Sequence, residues 1–197
     1  MGKFLLPFAF VPVVLLGQSP PAPSSATIAP LTVPEKFESR ILSTFGPTKL
    51  IVVGFEAAYD QATNTPSEWK QGAEGYGKRY ASQFGESASR QMFAFGLEAT
   101  LHQDPRYFPS GEKGFWRRTK NALKQTLVAR RDSGTDQFAY ARIGSALGAA
   151  FLANTWQPRS TDTTGNAFST FGVTIAGDAA YNFIQEFIPR FRPKELR

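Results

Sequence analysis

The sequence predicts a mainly α-helical protein, a compact bundle of about four or five helices. Two observations support this fold class. Small residues (Gly, Ala or Ser) recur at every fourth position in four separate segments, and bulky apolar residues accompany them. Turns rich in proline and glycine separate these segments. A four-residue row is the ridge against which a neighbouring helix packs, so the pattern predicts helices that associate closely.

The first half of the chain predicts three helices. Residues 35–44 form a short amphipathic helix that Gly46 and Pro47 end. Residues 48–63 form a second helix, although its β-branched start also suits a strand. Residues 67–102 form a long third helix, which Asp104 and Pro105 stop.

In the second half, residues 113–131 form a basic helical segment, and residues 141–153 and 172–187 form further helices. Between them, residues 126–141 fit either one short β-hairpin or two helix ends on each side of a turn.

The small residues define the predicted packing ridges. Gly, Ala and Ser on facing helices let two backbones approach closely. Each glycine inside a helix costs about 1 kcal/mol relative to alanine, so either close packing offsets that cost or residues 72–77 form a loop. The predicted rows are Gly54, Ala58 and Ala62; Ala73, Gly77, Ala81, Gly85 and Ser89; Ala141, Ser145, Ala149 and Ala153; and Gly172, Ala176 and Ala180.

The N-terminal residues indicate export. Residues 1–26 resemble a secretory signal peptide, with Lys3 before a short apolar run that contains two prolines; an uncleaved anchor is the alternative. Residues 27–47 form a proline-rich linker and short helix, and residues 48–197 form a single helical domain. We expect a bacterial periplasmic or outer-membrane-associated protein. It has no cysteine, so a lipid anchor on an N-terminal cysteine is excluded.

Composition narrows the function classes. The formal net charge is +6, which favours anionic partners. The absence of cysteine excludes disulfides, thiolate metal sites and cysteine nucleophiles. The sequence contains no phosphate-binding loop, dinucleotide fingerprint or nucleophile elbow, so we predict no cofactor.

A basic aromatic segment is the main candidate site. Aromatic rings at headgroup depth and cations that meet phosphate are typical of proteins that dock on membranes. The alternative is a solvated helix face with core aromatics, and nucleic acid is not expected because the chain is exported. The candidate residues are Arg106, Tyr107, Phe108, Lys113, Phe115, Trp116, Arg117, Arg118, Lys120, Lys124, Arg130 and Arg131.

An acid–base site is the alternative. Glu98 lies four residues before His102, the only histidine, and Asp104 is close, so the three could serve in proton transfer. No third ligand is identifiable for a metal. The structural alternative is that His102 ends a helix and Asp104 shapes the following turn.

The runs LHQDPRYF, GFWRR and RRDSG resemble an uncharacterised family of exported bacterial proteins. This resemblance covers residues 71–158 and implies export from a bacterium, but no activity or residue role.

Together these observations predict a non-enzymatic envelope protein that docks to an anionic membrane surface or a partner protein. A self-associating helical scaffold, held by the small-residue ridges and inserted in a membrane, is a further alternative.

Overall fold

The computed structural model describes residues 29–192. The predicted signal peptide, residues 1–26, and residues 193–197 lie outside this range. The predicted mainly α-helical fold is confirmed, and the described residues form six α-helices, one more than the upper number predicted. The elements are α1 (Val33–Phe45), α2 (Pro47–Thr63), α3 (Ala73–Leu101), α4 (Phe115–Leu127), β1 (Val128–Arg130), β2 (Asp136–Phe138), α5 (Tyr140–Ala153) and α6 (Thr164–Phe187).

Local chemistry accounts for the helix ends. Thr32 accepts a hydrogen bond from the backbone N–H of Glu35, whose side chain in turn accepts from the backbone of Thr32, so α1 begins in a capping box. Gly46 and Pro47 separate α1 from α2. His102 ends α3, as the structural interpretation of this residue predicted, and its backbone adopts the left-handed conformation.

The β-hairpin is also confirmed. Strands β1 and β2 are antiparallel, with Val128 opposite Phe138 and Arg130 opposite Asp136. Gly134 lies in the intervening turn with φ of +86°, a backbone conformation that residues with a side chain rarely adopt. The hairpin therefore directly extends the C-terminal end of α4.

Helix α3 is the centre of the fold and packs against α1, α2 and α5, while α6 packs against α4 and α5. The first helix was predicted together with the linker, and in the structure it packs against α3. The ring of Phe37 meets that of Phe95 at 5.1 Å, and Lys36 forms an ion pair with Asp132 at 2.7 Å.

Only one predicted ridge lies in the core. Ala141, Ser145, Ala149 and Ala153 of α5 are buried. Added Cβ atoms at Gly144 and Gly148 would lie 3.1 Å from Leu97 and 3.3 Å from Phe93, so α5 approaches α3 closely. The prediction was wrong for most of the other three rows, whose exposed members are Ala58, Ala62, Ala73, Gly77, Ala81, Gly172, Ala176 and Ala180.

Helical geometry explains the change of exposure along the row of α3. A step of four residues advances about 400°, so a four-residue row drifts by about 40° at each step. The five-member row that begins at Ala73 therefore winds by about 160° and cannot remain against one neighbour. Its first three members are exposed, whereas Gly85 and Ser89 are half-buried.

The interior is unusually polar, and many large apolar side chains face outwards. Lys36, Arg79, Gln103 and Glu186 are each 1% exposed or less. Buried charges are stable only when they are paired and hydrogen-bonded. Arg79, for example, donates to the carbonyl oxygens of Thr65, Pro66 and Lys70, and so holds the loop between α2 and α3.

Candidate functional site

The outward side of α4 carries an apolar stripe. Trp116, Leu123 and Leu127 are 73%, 53% and 50% exposed. Their spacing of seven and four residues places them within about 40° of one another around the helix. Ala122 and Thr126 lie about 120° and 80° around α4 from Trp116 and are buried, and Asn182 of α6 donates to the hydroxyl of Thr126 at 3.2 Å. Contacts with α6 thus fix which side of α4 faces outwards.

A cationic stripe adjoins the apolar one. Arg117, Lys120 and Lys124 lie from about 40° to 100° around α4 from Trp116, and all three are exposed. We define the outer face of α4 as these three cations together with Trp116, Leu123 and Leu127. It spans about 16 Å along the helix axis.

The cations of the outer face are available to a partner. Lys120 and the nearby Lys113 make no ion pair with any residue in the range 29–192. Arg117 lies 3.8 Å from Glu112, and Lys124 lies 2.6 Å from Asp136, in pairs that are largely exposed. Exposed pairs contribute about 0–1 kcal/mol, so an anionic surface can compete with both acids.

The hairpin extends the apolar surface. The backbone N–H of Ala139 donates to the carbonyl oxygen of Leu127, which brings Phe138 and Tyr140 next to the end of α4. Both rings are about half exposed and meet edge to face at 5.1 Å. Exposed aromatic rings beside an amphipathic helix are typical of an interface with lipid.

Other members of the predicted cationic set are engaged inside the protein. Arg106 forms an ion pair with Asp104 at 2.6 Å, and its side chain is 7% exposed. Arg118 lies 3.4 Å from Glu186 and stacks over the ring of Phe187. These two arginines therefore stabilise the fold on the inner side of the segment.

The aromatic members of the set are divided in the same way. Tyr107 is buried, whereas Phe108 is half-buried beneath the guanidinium of Arg130. Phe115 packs against the rings of Phe183 and Phe187 although it remains about half exposed. Arg131 is exposed at the turn of the hairpin.

Glu186 connects the basic segment to α6. Its carboxylate accepts hydrogen bonds from the hydroxyls of Tyr107 and Ser110 and from the side-chain amide of Asn121. Burial alone would raise the pKa of Glu186, but these hydrogen bonds outweigh burial and hold the pKa below its usual value. Burial and the neighbouring carboxylate raise the pKa of Tyr107, which stays a phenol. We call this group of residues the Glu186 cluster.

The predicted acid–base residues have separate partners. Glu98 is buried and accepts from Arg40 Nε at 2.9 Å; burial raises its pKa while Arg40 opposes the rise. The side chain of His102 is 75% exposed, and its Nδ1 lies 3.7 Å from Asp132. Asp104 accepts from the backbone N–H of Arg106 at 2.9 Å and so shapes the turn. Within residues 29–192, no hydrogen bond or ion pair joins the side chains of Glu98, His102 and Asp104 to one another, and the backbone N–H of His102 donates to the carbonyl oxygen of Glu98.

Sequence reasoning missed the buried ion pairs. Lys36 pairs with Asp132, 96 residues further along the chain, and Arg90 pairs with Asp178 at 2.5 Å. Arg142, largely buried, lies 3.9 Å from the same Asp178, and burial lowers its pKa. Partners so distant in sequence leave no local pattern, so only the folded structure identifies them.

The described part of the chain contains no group of three or more His, Asp or Glu residues placed to hold a metal ion. Between residues 29 and 192, no individual helix has both the length and the apolar composition to cross a membrane. Helices α1 and α2 reach that length and composition only when taken together, across a 43° bend.

No family model, curated protein or solved structure matches this chain significantly. The resemblance to exported bacterial proteins therefore stays a prediction, and the function must be argued from the surface itself.

Proposed function

We propose that this protein is exported and docks, without catalysing a reaction, to an anionic membrane surface through the outer face of α4. The observation that carries this proposal is the arrangement of two adjoining stripes on one exposed helix side. Trp116, Leu123 and Leu127 would enter the boundary between headgroups and acyl chains, while Arg117, Lys120 and Lys124 meet lipid phosphates.

The expected energies indicate that both stripes are needed. A cation near an anionic surface contributes about 1 kcal/mol, so Arg117, Lys120 and Lys124 together contribute about 3 kcal/mol. Complete burial of a large apolar side chain contributes about 1.5–3 kcal/mol, and burying half-exposed side chains contributes correspondingly less. Neither stripe alone would hold the protein stably, since stable anchoring generally takes two signals.

Vesicle flotation tests the proposal. The full chain is mixed with vesicles of phosphatidylcholine and phosphatidylglycerol at low and high salt. The test variant carries Arg117→Gln, Lys120→Gln and Lys124→Gln. The control carries Lys70→Gln, Lys78→Gln and Arg159→Gln, which remove the same charge from exposed positions elsewhere.

We expect the wild type to bind at low salt and to dissociate at high salt. The test variant should bind about 100-fold more weakly, which corresponds to three cations at about 1 kcal/mol each. The control should lose much less affinity, because its cations lie away from the outer face of α4. Equal losses in both variants, or no binding of the wild type at low salt, would contradict the proposal.

Export requires its own measurement. Fractionation of the producing cell, followed by N-terminal sequencing of the recovered protein, tests whether residues 1–26 are removed. A protein that starts at Met1 and remains in the cytoplasm would refute this part of the proposal. An intact N-terminus in the membrane fraction would instead support the uncleaved anchor.

A second candidate function is self-association through α2. Its outward side, which includes Ile51, Phe55 and Ala58, is exposed and carries no charged residue. The charged residues of α2 lie on the other side: Lys49 lies 3.9 Å from Glu56, and Asp60 accepts from Gln83 of α3 at 2.8 Å.

Sedimentation of the wild type and of Ala58→Glu tests this candidate. A wild-type oligomer that becomes a folded monomer in Ala58→Glu would support it. A wild type that is monomeric throughout would refute it.

A further inference from the structure

A second feature lies beside the outer face of α4. A cleft of about 230 Å³ opens between α4, the hairpin and the loop that precedes α4. Lys124 belongs both to this cleft and to the outer face. The lining residues are Phe108, Pro109, Asn121, Lys124, Gln125, Val128, Arg130, Gly134 and Asp136.

Arg130 is the most available cation in this cleft. Its guanidinium carbon lies 5.0 Å from the centre of the Phe108 ring, and a Cβ added at Gly134 would lie 3.5 Å from its Nη2. The guanidinium makes no hydrogen bond or ion pair with any residue of the described range 29–192. Arg130 is half-buried, so its five N–H donors are held in place but lack protein acceptors.

Two side-chain amides of α4 hold the backbone of Phe108, the residue beneath Arg130. Gln125 accepts from the backbone N–H of Phe108 at 2.9 Å, and Asn121 donates to the carbonyl oxygen of Phe108 at 3.2 Å. These hydrogen bonds engage the two amides with the backbone of Phe108. The ring in turn holds the guanidinium by a cation–π contact.

The net charge of the cleft is complementary to that of a monovalent anion. Arg130 and Lys124 contribute two positive charges, and Asp136, which lies 2.6 Å from Lys124, contributes one negative charge. The remaining single positive charge matches the single negative charge of a phosphodiester. The planar fork of an arginine can donate to two oxygens of one phosphate group at once.

We infer that this cleft binds the phosphodiester of one anionic phospholipid headgroup. The inference rests on the proposed function, because docking of the outer face of α4 places Lys124, at the edge of the cleft, against the headgroups. Arg130 donates to the two non-bridging phosphate oxygens. Lys124 turns from Asp136 towards the same group, while Leu127 and Phe138 lie nearer the acyl chains. The cleft therefore adds recognition of a headgroup to the general attraction of the basic surface.

Calorimetric titration of the full chain with dihexanoyl-phosphatidylglycerol, kept below its micellar concentration, tests the inference without a membrane. We expect saturable binding of one lipid per chain. Arg130→Lys keeps the charge but loses the fork, and we expect binding about tenfold weaker, as for the loss of one charge-assisted hydrogen bond. Asp136→Asn removes the competing acid and should bind several-fold more tightly. The matched control Lys78→Gln, far from the cleft, should bind as the wild type does.

The outcomes separate this inference from the proposed function. Saturable binding of the short-chain lipid that depends on Arg130 supports the cleft even if vesicle flotation fails. Absence of saturable binding, or equal affinity in Arg130→Lys, overturns the inference even if vesicles bind through the outer face of α4. If Arg130→Lys does not fold, Asp136→Asn decides, and an unchanged or weaker affinity overturns the inference.

Two further titrants identify the source of the phosphate. Glycerophosphoglycerol, which has the headgroup without acyl chains, should bind more weakly than the short-chain lipid but should respond to Arg130→Lys in the same way. Inorganic phosphate should bind more weakly than either. Inorganic phosphate that binds as tightly as the short-chain lipid would assign the cleft to a free anion and overturn the lipid assignment.

Discussion

Replacement of Glu186 by alanine will destabilise the protein more than any surface substitution. Glu186 is 1% exposed. Its carboxylate accepts hydrogen bonds from Tyr107, Ser110 and Asn121 and forms an ion pair with Arg118. Removing one partner of a buried ion pair costs about 3–5 kcal/mol. In Glu186→Ala the hydroxyls of Tyr107 and Ser110 lose their carboxylate acceptor, and Arg118 keeps only the backbone carbonyl oxygen of residue 186. We therefore expect Glu186→Ala to lower the free energy of unfolding by about 3–5 kcal/mol.

Urea unfolding monitored by circular dichroism measures this loss, and the thermal midpoint should fall by roughly 6–20 °C for a domain of this size. Glu112→Gln is the matched control, since Glu112 is an exposed acid whose ion pair with Arg117 is also exposed. It should change the free energy of unfolding by less than about 0.5 kcal/mol. A loss below about 1 kcal/mol in Glu186→Ala would refute the structural role of the Glu186 cluster.

The pH dependence of the wild type provides a second check. The pKa of Glu186 is lower in the folded protein than in the unfolded chain. Its contribution to stability is therefore present above the unfolded value and is lost as pH falls through the folded value. The difference in stability between wild type and Glu186→Ala should shrink in acid.

Two further predictions concern α3. Gly75→Ala should destabilise the protein, because the added Cβ would lie 2.3 Å from the carbonyl oxygen of Lys70. At Gly77 an added Cβ meets no atom within 4 Å, so Gly77→Ala should stabilise the protein by about 1 kcal/mol. Equal effects of the two substitutions on the thermal midpoint would contradict the described packing. Burial, and then repulsion from Glu56, raises the pKa of Glu86 to about 7, so the free energy of unfolding should fall as pH rises from about 4.5 to 7. Glu86→Gln should reduce this fall and raise the free energy of unfolding at pH 8 by up to about 3 kcal/mol, and urea unfolding across that pH range with no difference between the proteins would refute the assignment.

Helix positions and the hairpin could be predicted because proline and glycine mark element ends locally. Gly46 and Pro47 separate α1 from α2, and the Asp132-Ser133-Gly134 sequence turns the hairpin. Proline and glycine act on the backbone conformation of their own part of the chain, so their effect can be read from the local sequence. They identify the bounds of an element but not which side of it faces the core.

The orientation of the helices could not be predicted from spacing. Ala81 of α3 and Ser145 of α5 are both small residues within a four-residue row, yet Ala81 is exposed and Ser145 is buried. Sequence reasoning also assigns lysine and arginine to the surface, whereas Lys36 and Arg79 lie in the core with partners supplied by other elements. While these polar side chains occupy part of the core, many aromatic side chains are exposed.

The candidate site was predicted as a segment but not as a surface. The basic aromatic run was recognisable because its cations and rings are close in sequence. Its division into an outer face on α4 and an inner set around Glu186 depends on α6, whose contacting residues lie 68 and 56 positions further along the chain. Sequence alone could not indicate that Arg118 faces α6 while Arg117 faces outwards.

Tryptophan fluorescence in the presence of vesicles tests the docking of α4 most directly. The emission of the full chain is compared with that of Trp116→Phe on addition of phosphatidylglycerol vesicles, with and without brominated acyl chains. The wild type should shift to shorter wavelength and be quenched by the brominated lipids, and Trp116→Phe should lose most of both effects. Vesicle binding that leaves the emission of Trp116 unchanged would show that another surface of the protein meets the membrane.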